Sequence, residues 1–149
     1  MKKSPLALLA LLCALALFLA QAPAWAQAPA APALPPEVLS DKTPLAEKDI
    51  DFYIEVLTLT ASPDFTETQF RDLIAQRGYT ETHALAVSTK IGVGLTLLQY
   101  PETRSVFVEQ FGTDEIIPSD ADLALVKAHL PRLNQALENV ASSVGALTR

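Results

Sequence analysis

Residues 119–147 read Ser-Asp-Ala-Asp-Leu-Ala-Leu-Val-Lys-Ala-His-Leu-Pro-Arg-Leu-Asn-Gln-Ala-Leu-Glu-Asn-Val-Ala-Ser-Ser-Val-Gly-Ala-Leu. Within them Leu123, Val126, Leu130, Leu133, Leu137, Val140, Val144 and Leu147 alternate spacings of three and four without a miss, which is the period of an amphipathic helix. Ser119 is placed to cap its start, supported by Asp122 three residues on and by the acidic turn Asp120–Asp122. Pro131 lies off the seam, so it predicts a kink with its ring on the convex side, or a division of the helix near His129. The flanking positions Asp122, Lys127, His129, Asn134, Ala136, Ala141 and Ser143 are mostly small or neutral. A dimeric coiled coil wants charged flanks, so the seam is expected to face an intramolecular core. A monomer follows, with a dimer through this C-terminal helix as the alternative.

Upstream, the same helix punctuation recurs. Thr43 before Pro44 predicts a capped helix running to about Thr60, ended by Ser62-Pro63-Asp64. Its apolar residues Ile50, Tyr53, Ile54, Leu57 and Ala61 form a stripe that Phe52, Val56 and Leu59 widen, as in a helix covered on more than one side. Thr66-Glu67-Thr68-Gln69 is a capping box, with Phe65 and Phe70 at the positions of a hydrophobic staple. Gly78, followed by Tyr79 to pack on Ile74, predicts a Schellman stop, so a second helix spans about Glu67–Arg77. Thr80 caps a third from Glu81 to about Gln99. Residues 103–112 are read as a short helix ended by Gly112, although Ser105–Val108 is also acceptable as a short strand. With no partner strand visible, the fold class is an all-α bundle of four to five helices over residues 43–149, enough chain for one core.

Residues 1–26 have the three parts of a secretory signal peptide: basic Lys2-Lys3, an apolar run Leu6–Ala20, and Ala24-Trp25-Ala26 before a cut that leaves Gln27 first. The run is shorter than the roughly 20 residues a membrane span needs, and Leu12-Cys13 lacks the context of a lipoprotein signal, so no stable membrane anchor is expected after cleavage. Gln27–Pro36 is Pro/Ala-rich, and residues 27–42 are expected to be a disordered tether. Cys13, Met1 and Trp25 all leave with the signal, so the mature domain has no disulfide, thiol chemistry or cysteine-held metal. Loss of Lys2 and Lys3 takes the net charge from −6 to −8. That balance lacks the basic footprint of a nucleic-acid binder and gives anionic lipid nothing to hold.

Chemistry-bearing motifs are sparse. His83 and His129 stand on different helices without a ligand cluster, and are expected to be solvated or capping. Glu47, Asp51 and Glu55 recur four apart like a solvated face, without the turn or terminal glutamate of a calcium loop. Asp114, Glu115, Asp120 and Asp122 read as turn and capping chemistry rather than a carboxylate pair. No Gly-x-Ser-x-Gly elbow or phosphate-cradling loop occurs, so no enzyme, cofactor or metal site is expected. In format the chain resembles short exported all-helical proteins of Gram-negative bacteria, a likeness resting on no shared motif.

The third helix carries one oddity. Gly92 and Gly94 each cost about 1 kcal/mol relative to alanine inside a helix. With Ala84 and Ser88 they make a surface of small side chains, read as a helix-packing groove or a ligand groove. The expected function is therefore a periplasmic or secreted, non-catalytic binding module for a protein or peptide partner. The alternative is a carrier whose pocket, lined by Tyr53, Phe70, Ile91, Leu95 and Phe107, takes a small apolar ligand.

Overall fold

The computed structural model describes residues 34–147, with side chains to Ser143. The signal peptide, its cleavage site after Ala26 and the first part of the tether lie outside the described residues. Among those described, the elements are α-helices without strands: α1 (Pro36–Leu39), α2 (Glu47–Thr60), α3 (Glu67–Gln76), α4 (Glu81–Gln99), α5 (Arg104–Phe111), α6 (Asp120–Ala128) and α7 (Leu130–Leu147), with short 3-10 turns at Pro101–Thr103 and Asp114–Ile116. The all-α class holds. The helix number exceeds four to five because α1 forms inside the expected tether and the final helix is divided.

Local chemistry sets several boundaries. At the start of α3 the Gln69 N–H donates to Thr66 Oγ1 at 3.3 Å, and the Thr66 N–H donates to Gln69 Oε1 at 2.9 Å. At its other end Gly78 has φ +69°. There the Tyr79 N–H reaches the Ile74 carbonyl at 3.0 Å and the Gly78 N–H reaches that of Ala75 at 3.1 Å, the two bonds of a Schellman stop. Thr80 Oγ1 accepts from the His83 N–H at 3.1 Å and opens α4. The ambiguous stretch is the short helix α5, closed by Gly112 at φ +69°. His129, with φ −104° and ψ 11°, separates α6 from α7, where Pro131 has no N–H to continue the ladder.

Two expectations are corrected. Helix α2 begins at Glu47 rather than at Pro44. Its capping works backwards, the Asp49 carboxylate accepting from the Ala46 N–H at 2.8 Å, while the Thr43 N–H turns to Asp41 Oδ1 at 2.9 Å. The second correction concerns residues 34–42, which are not a free tether. Pro36 starts a one-turn helix, and Leu34 and Val38 are 9% and 4% exposed. Burial of two apolar side chains against α4 overrides the extended preference of the Pro/Ala composition.

Helix α4 is the axis of the domain. From Ala84 to Leu97 every residue except Lys90 is buried, and such a helix needs neighbours all round. One face, Ala84, Val87, Ile91 and Leu95, joins Ile50, Phe52, Tyr53, Val56 and Leu57 of α2, Ile74 of α3, Val126 of α6, and Leu133 and Ala136 of α7. Another, with Leu85, Ala86, Val93 and Leu97, joins Leu34, Val38, Phe107 of α5 and Ile116. Along the final seam Val126 and Leu133 are fully buried in the first cluster, whereas Leu130, Leu137 and Val140 are half-buried at its edge and Leu123 at the edge of the second.

Helices α2 and α7 lie side by side and parallel. Glu47 meets His129 at 3.8 Å and Asp51 meets Arg132 at 2.7 Å, and further along Thr58 and Ala61 face Ala136, Asn139, Val140 and Ser143.

Candidate functional site

Ala84, Ser88, Gly92 and Gly94 all lie inside the domain. Gly94 marks a close helix crossing: a Cβ there would stand 3.4 Å from Val126 Cγ2 and 3.5 Å from Leu123 Cδ2, so α6 rests against the α4 backbone. Gly92 offers its carbonyl to Thr96 Oγ1 at 3.0 Å. Ser88, 1% exposed, has a hydroxyl without a hydrogen-bond partner. Packing is therefore the role visible at Gly94.

The residues expected to line one apolar pocket do not share a cavity. Tyr53, Ile91 and Leu95 are buried in the cluster shared with α2, Phe70 packs at its edge, and Phe107 belongs to the other cluster. They fill the two cores, because α4 is itself the wall between them.

The titratable side chains are drawn into pairs. Glu47, Asp51 and Glu55 each face a separate partner, His129, Arg132 and Arg77 respectively, and so do not converge on a cation, while their side chains stay exposed on the solvated face expected of them. His83 is half-buried and paired: its Nδ1 lies 2.8 Å from Asp41 Oδ2, and its ring meets the edge of Tyr79 with centroids 4.9 Å apart. Burial alone would raise the Asp41 carboxyl. Hydrogen bonds from His83 and Thr43 outweigh it and lower the group to about 2.

Tyr79 is the hub of a second network. Its hydroxyl donates to the buried Asp49 carboxylate, its ring packs edge-on to Phe52 at 4.9 Å, and Lys48 Nζ stands 5.7 Å from the ring centroid. Burial, then the bond to Asp49, pushes the phenol well above its ordinary range. Asp122 is 5% exposed and accepts from the Leu45 N–H at 2.9 Å, so it ties α6 to the chain before α2 in addition to supporting the Ser119 cap. No group of three or more metal-ligating side chains occurs among the described residues.

The concave surface that sequence reasoning missed is an open groove of about 480 Å³ between the end of α2 and the middle of α7. Thr58, Ala61, Ser62 and Pro63 form one wall, and Ala136, Asn139, Val140 and Ser143 the other. None carries a formal charge. Both segments extend that neutrality: residues 56–63 and 139–147 contain no charged side chain, in a chain that is 19% charged. The neutral runs were visible in the sequence, but their adjacency depends on the parallel pairing of α2 with α7.

Comparison with known proteins found no matching protein-family model, no matching curated protein and no matching solved structure.

Proposed function

We propose that the chain is an exported, non-catalytic helical module that holds a protein or peptide partner in the groove between α2 and α7. The carrying observation is the groove itself, concave and uncharged on a strongly acidic chain, lined by small side chains that let a partner backbone approach closely. Such a neutral concavity recognises by shape and apolar contact, and leaves the surrounding acidity to keep the protein soluble. The N-terminal sequence supports export to the periplasm or beyond. The carrier reading draws no support from its expected lining residues, which are packed against each other.

Native mass spectrometry of the protein purified from its own compartment tests the proposal, using the wild type beside Ala61→Arg. This substitution sets a long cation in the groove at a half-buried position. A polypeptide retained by the wild type and lost from a variant with unchanged melting is the expected result. A small molecule retained equally by both would replace this reading with the carrier.

A further inference from the structure

Residues 34–45 lie over the domain as a strap. Leu34 and Val38, four apart, sit in an apolar trough formed by Leu85, Ala86, Val93 and Leu97 of α4, Phe107 of α5, and Ile116. The helix that carries Val38, Pro36–Leu39, is four residues long, too short to persist by itself. Beyond the anchors, each described polar tie to the rest of the domain uses a side chain at one end or both. Asp41 Oδ2 meets His83 Nδ1 at 2.8 Å, Lys42 Nζ meets Glu115 Oε1 at 3.9 Å, Lys90 Nζ donates to the Thr43 carbonyl at 2.7 Å, and the Leu45 N–H donates to Asp122 Oδ1 at 2.9 Å. The strap's backbone–backbone bonds described here, Val38 to Pro35, Ser40 to Pro36 and Asp41 to Val38, are internal to it.

The buried residues of the larger cluster of α2, α3, α4, α6 and α7 all lie outside the strap, and only Leu45, at the strap's last position, packs against its edge. Removal of the strap therefore leaves that core in place and uncovers the trough. Only two buried side chains and a few polar ties offset the conformational entropy of a dozen ordered residues, so the strap is held weakly. The trough is ready to receive a peptide: apolar along its floor, with His83 and Lys90 beside it to meet a carboxylate and a backbone carbonyl.

We propose that residues 34–45 form a detachable strap occupying a second docking groove on α4 and α5, which takes a partner segment with the strap's own chemistry. That segment presents two apolar anchors four residues apart, the second in a short helical turn, followed by an acidic residue opposite His83. While seated, the strap closes this groove to competitors. The site is separate from the groove between α2 and α7 and does not depend on the function proposed for it.

The test uses hydrogen exchange and peptide binding on the full mature chain. In the wild type, amides of residues 38–45 should exchange by local opening, at least about tenfold faster than those of Ile91 and Leu95. Leu34→Asp with Val38→Asp should abolish their protection while the helical circular dichroism and cooperative melt persist. A synthetic peptide of residues 33–45 should bind this double variant at least about tenfold more tightly than the wild type, whose groove is already filled. His83→Gln, a milder change, should speed exchange at residues 38–43 and leave α2 and α7 untouched. The proposal is overturned if the strap exchanges only by global unfolding, if the double variant loses its cooperative melt, or if the peptide ignores the opened protein.

Discussion

Helices α4 and α7 are nearly equal in length, 19 and 18 residues, yet they occupy opposite positions in the fold. Helix α7 buries Leu133 and Ala136 on one side, while Arg132, Gln135, Glu138 and Asn139 remain exposed. Helix α4 is enclosed on all sides along most of its length and joins both cores. The regular seam of α7 makes it the most conspicuous helix in the sequence, but a regular seam implies a wet opposite face and therefore a peripheral place. A central helix has no such pattern. Its signature is the near-absence of charge, and between Ala84 and Leu98 only Lys90 is charged.

The contrast can be broken most forcefully in the core. Leu95→Ala on α4 and Leu133→Ala on α7, both fully buried, should each cost about 2 to 5 kcal/mol in denaturant melts. Leu137→Ala, on the half-buried shoulder of the seam, should cost about 1 kcal/mol. Equal losses at Leu133 and Leu137 would mean that α7 is buried as deeply as α4. Next in size is Gly94→Leu, expected to lose about 1 to 3 kcal/mol by driving α6 from the α4 backbone. Gly94→Ala should be close to neutral, because its Cβ would make contacts of 3.4 to 3.7 Å with Val126 and Leu123 while helix propensity improves by about 1 kcal/mol. A harmful alanine would show that the crossing is tighter than these distances.

Smaller effects sharpen the comparison at the helix ends. Thr66→Ala removes a cap acceptor and should cost about 1 kcal/mol, with Thr66→Ser recovering most of it. Asp41→Asn, which loosens the strap across α4, should cost about 1 kcal/mol or less at neutral pH. Its pH dependence has a definite sign. Because the folded carboxyl is lowered to about 2, below the ordinary value of about 3.9, its contribution is complete above about pH 4 and lost as pH falls toward 2. The wild-type advantage over Asp41→Asn in acid melts should therefore shrink through that window. An advantage that persisted unchanged to pH 2 would contradict the Asp41–His83 tie.

What could be read from the sequence was the chemistry confined to a few neighbouring residues. Thr66 with Gln69, Gly78 with Tyr79, Thr80 and Ser119 each complete a cap within six residues, and those helix ends fall where the sequence places them. The start of α2 differs because Ala46, which has no side-chain oxygen, is capped from Asp49 three residues later. Thr43-Pro44 offers a more familiar pattern that the chain does not use. The strap was hidden because Leu34 and Val38 sit in Pro/Ala-rich surroundings and acquire meaning only against α4 and α5, some fifty or more residues away. The groove was hidden for a similar reason. Its two neutral walls are adjacent only because α2 and α7 run parallel, and no local pattern encodes that direction.

The same parallel pairing has a kinetic consequence. The first long helix and the last complete each other, so Ile50, Phe52 and Tyr53 lack Leu133 and Ala136 until nearly the whole chain has been synthesised. Contacts between α3 and α4 are local and can form early, but the α2–α7 contact closes a loop of roughly 80 residues and carries its entropic cost. A nascent chain that stops short of α7 holds every residue of the second cluster but lacks one wall of the larger core. The larger core therefore closes last, once α7 is free to reach α2.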